Sequence, residues 1–236
     1  MYKRIMLIHG WGASKNKLYP LKKELEKLGW KVFLPKLPGF EKPAPVKVWG
    51  IEDYSDYLYE KARKYFRDEN FLVFGHSFGG GVAIKIASEK KNVMAVILCA
   101  ARGIRRGKFL KRFIFNLLAK AGKIFVFIPP LAYEFRKLLY KAAGEHDYEK
   151  AQGIMKKIFK RIISEDLSPL LQLIKIPTLI LWGNKDRITP IKDALLAKRL
   201  VRKCDLIIFE DQGHRLPYEK PKDLAKNIDL WYKTTV

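Results

Sequence analysis

Acidic residues are in short supply in this chain. Asp and Glu number 24 against 47 Lys and Arg in 236 residues, a formal net charge of +23. Cysteine is scarcer still, with only Cys99 and Cys204, both in strand-like apolar runs. Each reads as a small buried side chain rather than half of a disulfide, which suits a cytoplasmic protein. No run of about 18 uncharged apolar residues occurs, so no transmembrane helix is expected. The opening "MYKRIMLIHG" holds too short an apolar run for a signal peptide. No cluster of His, Cys or carboxylate has metal-ligand spacing, and no glycine-rich phosphate loop follows a strand. Neither metal nor cofactor is therefore expected. Internal repeats and low-complexity linkers are missing too. A nucleic-acid-binding motif, or a basic stripe interleaved with exposed aromatics, is also lacking, so nucleic acid is not expected as a partner. The lysines are spread over most of the expected helices and read as a solvated surface.

What is present is an alternation. Hydrophobic residues make up 48% of the chain, enough for one domain with a real core and a sizeable insertion. Apolar runs over 4–8, 31–35, 71–74, 93–100, 178–182 and 206–209 read as strands. Helical spacing of apolar residues falls over 18–28, 51–66, the stretch after residue 77, 191–201 and 222–232. Strand–helix alternation with near-continuous apolar strands predicts an α/β fold with a doubly wound, mostly parallel sheet. The alternation breaks for about 65 residues of helical, aromatic and basic sequence, read as an inserted helical cap over 102–168. Residues 1–101 and 169–236 then form the core.

In such a sheet, functional groups gather outside the carboxyl ends of strands. One such end is "NFLVFGHSFGGGVAIKIASEK", Asn70 to Lys90, where a strand passes directly into a helix. Gly75 and Gly79 stand where side chains would crowd the turn, leaving Ser77 exposed at its tip. A serine hydroxyl is a weak nucleophile, needing a base within reach and an acid to orient that base. Two later strand ends supply candidates: Asp186 in "GNKD" and His214 in "DQGH". Of only four histidines, His9, His76 and His214 all fall at strand-end motifs, and His146 in "GEHDYEK" reads as a surface residue. Asp205, Glu210 and Asp211 are alternative carboxylates for His214, Asp211 reading more simply as a loop residue.

The motifs "HGWG", "GHSFGG", "GNKDRITP" and "DQGHRLPYEKP" together resemble the α/β-hydrolase superfamily along the whole chain, with the family's first hairpin missing. The order serine, acid, histidine is that family's order. The resemblance implies Ser77 as nucleophile, His214 as general base and then acid, and Asp186 as orienting carboxylate. It also implies an oxyanion hole from the backbone N–H groups of Trp11 and Phe78. His9 and Gly10 would shape the oxyanion loop by hydrogen bonds, and His76 would pack beside the elbow. Serine at the elbow argues against relatives that use aspartate there, the haloalkane dehalogenases and epoxide hydrolases. "HGWG" with "LPGF" (Leu37 to Phe40) is similar to the pimeloyl-carrier-protein methyl ester esterases, which favours esters.

Residues 102–141 hold eleven Lys or Arg and one acid, Glu134. That segment could meet an acidic carrier protein or an anionic membrane surface, while its apolar face would roof the site. Phe109, Phe113, Phe125, Phe127 and Tyr133 are the candidate pocket lining, suited to acyl or aryl groups of modest size. The expectation is a cytoplasmic, cap-bearing serine hydrolase of the carboxylesterase kind. Alternatives are a carbon–carbon bond hydrolase of diketone-like substrates with the same three residues, or a non-catalytic ligand-binding protein of this fold.

Overall fold

The structure is a computed structural model that describes residues 3–104 and 153–236. Phe109, Phe113, Phe125, Phe127, Tyr133, His146 and most of the basic 102–141 segment lie outside the described residues, as does the greater part of the expected cap.

Six strands form one sheet: β1 (Lys3–Ile8), β2 (Trp30–Phe33), β3 (Phe71–His76), β4 (Val93–Cys99), β5 (Thr178–Gly183) and β6 (Cys204–Phe209). Their order is β2-β1-β3-β4-β5-β6, and every pairing is parallel. The strands of the middle are apolar at successive positions because both faces are covered. Met6, Ile8 and Val73 face one core, while Ile5, Leu7, Leu72 and Phe74 face the other.

The first core is closed by α2 (Ile51–Phe66), α3 (Phe78–Glu89), α4 (Gly153–Ser164), α5 (Ser168–Leu171) and α6 (Ile191–Leu200). The second is closed by α1 (Tyr19–Lys27), a short α7 (Leu216–Glu219) and α8 (Pro221–Thr235). Trp30 Nε1–H donates to Asp229 Oδ1 at 2.9 Å, fixing α8 to the β2 edge.

The helix expected over 18–28 begins as a 3-10 turn, Lys15–Leu18, and becomes α-helical at Tyr19. Pro20 explains the break, since a proline lacks the N–H that a continuing helix would use and is tolerated only in the first turn. Among the described residues no helix is long and apolar enough to cross a membrane.

Two features set up the site. Strand order reverses between β1, which runs out to β2, and β3, which begins the run to β6. This is the switch point at which doubly wound sheets open a crevice at the strand carboxyl ends. The second is the excursion between β4 and its neighbour β5. It leaves near Gly103 and returns at Leu167, whose N–H donates to the Gly103 carbonyl at 2.8 Å.

Candidate active site

The register Ile8↔Gly75 aligns the ends of β1 and β3, so the loops after them emerge side by side. Ser77 sits one residue past β3 with φ 53° and ψ −114°, and Phe78 opens α3. Positive φ strains a residue that carries a Cβ. Three hydrogen bonds hold the turn: Ser77 N–H to the Cys99 carbonyl, and the Ser77 carbonyl to the N–H groups of Gly81 and Arg102. Backbone leaves no room for a side chain at two glycines of the turn. A Cβ on Gly75 would strike the Gly79 carbonyl, and one on Gly79 the Ile8 carbonyl.

Ser77 is 7% exposed, so the turn's tip is buried rather than open to solvent as the sequence suggests. The loop after β1 is the reason. Gly10 lies so close that an added Cβ would stand 3.3 Å from Ser77 Cβ and 3.1 Å from His76 Nδ1.

Asp186 and His214 come from loops after the neighbouring strands β5 and β6. The loops are knitted by Asn184 N–H to the Phe209 carbonyl (3.1 Å) and Lys185 N–H to the Gln212 carbonyl (2.9 Å). His214 Nδ1 lies 2.8 Å from Asp186 Oδ2; because a carboxylate only accepts, Nδ1 carries the proton. Asp186 is buried, and its other hydrogen bonds come from the N–H groups of Ile188 (2.8 Å) and Thr189 (2.9 Å) and from the Thr189 hydroxyl (2.8 Å). Burial raises its pKa, but the hydrogen bond and charge of His214, with the Thr189 groups, outweigh it and hold the carboxyl below its ordinary value. Among the described residues no hydrogen bond joins Ser77 Oγ to the His214 ring.

The other carboxylates near His214 are engaged elsewhere. Asp205 accepts from Trp231 Nε1, Glu210 from Asn184, and Asp211, exposed and with φ 57°, pairs with Lys185 at 2.8 Å.

His76 is buried beneath His214, their ring centroids 4.9 Å apart. Its Nε2 faces the His214 carbonyl at 2.8 Å and so donates, leaving Nδ1 to accept from the Tyr218 hydroxyl at 2.9 Å. Burial, with the nearby charge of His214, pushes its pKa down to about 3, so the ring stays neutral. His9, also buried, turns Nδ1 toward the Gly10 carbonyl at 2.8 Å.

As the first residue of α3, Phe78 has an N–H without an intrahelical acceptor. The rings of Trp11 and Phe78 are 5.5 Å apart, and Trp11 also packs on Phe40 (5.0 Å) and on Phe159 of α4 (5.0 Å). These aromatics form an apolar wall beside Ser77.

Three residues of the site escape sequence reasoning. Thr189 could have been found in "GNKDRITP", three positions after the acid. Tyr218 and Glu41, whose carboxylate lies 3.3 Å from His9 Nε2, carry no local signal, because the histidines they meet, His76 and His9, are 142 and 32 residues away. Among the described residues no group of three or more His, Cys, Asp or Glu could hold a metal.

A family model described as alpha/beta hydrolase fold matches residues 3–221. Lipase 1 of Psychrobacter immobilis is 26% identical over 242 residues, covering 94% of this chain and 74% of that protein. The AB hydrolase superfamily protein YisY of Bacillus subtilis (strain 168) is 29% identical over 249 residues, covering 95% and 89%. Among solved structures, the esterase EaEST from Exiguobacterium antarcticum superposes with a TM-score of 0.73 at 21% identity, covering 98% of this chain and 92% of that one.

Proposed function

The chain belongs to the alpha/beta hydrolase fold family, and from that premise we propose that it is a serine hydrolase cleaving carboxylic esters of small to medium acyl or aryl groups through an acyl-enzyme. The observation that carries this reading is the His214–Asp186 pair at 2.8 Å, emerging beside a strained serine at the switch point of the sheet. The lipase among the relatives supports the choice of ester.

The chemistry follows from the proton positions. With Nδ1–H committed to Asp186, His214 offers Nε2 as a base. Substrate binding draws Ser77 and His214 together, as catalytic hydrogen bonds tighten in the bound complex. Ser77 Oγ attacks the carbonyl carbon while its proton passes to Nε2, giving an imidazolium whose charge the buried Asp186 balances. The oxyanion takes hydrogen bonds from the N–H groups of Trp11 and Phe78, each worth about 3–4 kcal/mol to the transition state. Collapse breaks the carbon–oxygen bond of the ester, and the leaving alkoxide takes the proton from Nε2. A water then gives a proton to Nε2 as it attacks the acyl-enzyme. Serine departs with that proton, so ester and water become acid and alcohol. The 102–168 segment acts as a cap. Support comes from α4, where Phe159 touches Trp11 and Ile158 and Ile162 enter the core.

Hydrolysis of p-nitrophenyl esters from acetate to laurate, with Ser77→Ala as control, tests the proposal. Turnover abolished in Ser77→Ala supports it, and the best chain length sizes the pocket. Folded wild-type protein inert to every ester would overturn it, in favour of carbon–carbon substrates or a binding role.

A further inference from the structure

We infer that Glu41 is a positioning residue that aims the Trp11 N–H at the oxyanion. The inference rests on the serine-hydrolase reading above. The Gly10–Trp11 peptide carries the donor in question. Its carbonyl accepts from His9 Nδ1–H at 2.8 Å and from the Ala13 N–H at 3.3 Å. No cis peptide occurs among the described residues, and in a trans peptide the C=O and N–H point in opposite directions. Whatever fixes the Gly10 carbonyl toward the His9 ring therefore turns the Trp11 N–H away from it. Gly10 itself lies against Ser77, so the direction in which that N–H points decides whether it can serve the reaction there.

The His9 ring is only as fixed as its other nitrogen. Nε2 lies 3.3 Å from Glu41 Oε2; because this carboxylate and the Gly10 carbonyl both only accept, the ring bridges them with an N–H on each nitrogen. The same Oε2 accepts the Leu37 N–H at 3.0 Å, and Oε1 accepts the Lys15 N–H. One carboxylate thus ties together His9 at the start of the oxyanion loop, Lys15 beyond its far end, and the separate 37–41 turn. The turn is rigid in its own right, with the N–H groups of Phe40 and Glu41 both donating to the Leu37 carbonyl at 3.2 Å. Phe40 presses edge-on against Trp11 (5.0 Å) and His9 (5.5 Å), closing the clamp from the apolar side.

Glu41, like Asp186, spends its charge on backbone N–H groups and a histidine. Among the described residues it forms no ion pair with Lys or Arg, and its partners are two backbone N–H groups and a buried imidazole. Partial burial works against its ionisation, yet those partners hold its pKa at about 2, so the clamp is charged at any working pH. A carboxylate at this position, aimed inward and touching no reacting atom, acts through the loop it holds.

The test compares wild type, Glu41→Gln, Glu41→Ala and Ser77→Ala on p-nitrophenyl butyrate, alongside the affinity of an alkyl boronic acid. The boronic acid adds to the serine and places an anionic oxygen in the oxyanion hole. If Glu41 aims the donor, kcat falls about tenfold to a hundredfold in Glu41→Ala, less in Glu41→Gln, with KM within about twofold. Boronate affinity falls by a matching factor. Should Glu41→Ala prove unstable, Glu41→Gln, which keeps one acceptor oxygen, carries the comparison well below its melting temperature. Ser77-dependent turnover and boronate binding that both Glu41 variants leave unchanged would overturn this inference alone, as would a loss confined to KM. Wild-type turnover that survives Ser77→Ala, or no turnover at all, would overturn the serine-hydrolase reading and this inference with it.

Discussion

Replacing Asp186 by Asn changes no atom position by much but puts a donor where two hydrogen bonds are accepted; the Thr189 hydroxyl can turn to the Ala100 carbonyl, and His214 has no such alternative. The carboxylate accepts four: from the N–H groups of Ile188 and Thr189 at Oδ1, and from the Thr189 hydroxyl and His214 Nδ1 at Oδ2. An asparagine must keep its carbonyl oxygen on the two backbone N–H groups, because both lie in the rigid turn that follows it. Its NH2 then faces His214 Nδ1, a donor meeting a donor. His214 can resolve the clash only by moving its proton to Nε2, the nitrogen that should take the Ser77 proton. A histidine in that tautomer is no base for the serine. The expected loss is about 10⁴-fold in kcat for esters, or about 5–6 kcal/mol of transition-state stabilisation. The thermal midpoint should stay within a few degrees of wild type, since Asn fills the same volume. Initial rates on p-nitrophenyl butyrate give kcat, and a calorimetric scan of each variant confirms folding. Asp211→Asn is the control, for that side chain is exposed and holds only Lys185; its turnover should be unchanged. Near-wild-type kcat in Asp186→Asn, with loss in Asp211→Asn, would refute this reasoning.

Two further predictions follow from the same contacts. Thr189→Val removes the hydroxyl shared by Asp186 and the Ala100 carbonyl (3.2 Å) while keeping its shape. It should lower stability by about 1–2 kcal/mol, seen as a melting point lower by several degrees, and kcat severalfold; unchanged values would show the hydroxyl is idle. Glu41 has its carboxyl pKa lowered from 4.5 to about 2 in the folded protein, so its contribution is present above pH 4.5 and is lost as pH falls toward 2. That is at most about 3 kcal/mol. Urea unfolding at pH 5 and pH 2.5 should show a smaller difference for Glu41→Gln than for wild type, and an equal difference would count against the charged clamp.

The frame of the molecule could be read from residue pattern because it depends on pattern. The 51–66 helix ends where its apolar spacing ends, and the central strands coincide with apolar runs that two covering faces require. The loops after β1, β3, β5 and β6 follow from that frame, and the structure brings Asp186 and His214 together at 2.8 Å. What sequence could not supply was set by distance or by a single residue. Pro20 broke a smooth helical period, and α7 is too short to have one. Ser77 looked exposed because nothing local shows Gly10 folding over it. Glu41 and Tyr218 look like ordinary surface residues until the fold delivers their partners.

The hydrogen bond between Gly103 and Leu167 marks a seam. Gly103 and Leu167, with 63 residues between them in the chain, are joined by that one bond beside strands that are already neighbours. The register of β4 and β5 pairs Val96 with Thr178 through Cys99 with Leu181. Loop-closure entropy changes by only about 0.6 kcal/mol for each doubling of length, so the stretch between 104 and 153 can change length at small entropic cost, while α4, which buries Ile158 and Ile162, stays bound to the core. Ser77 stands on one side of that seam and Asp186 and His214 on the other, so two separate stretches of chain contribute the three residues to one sheet edge.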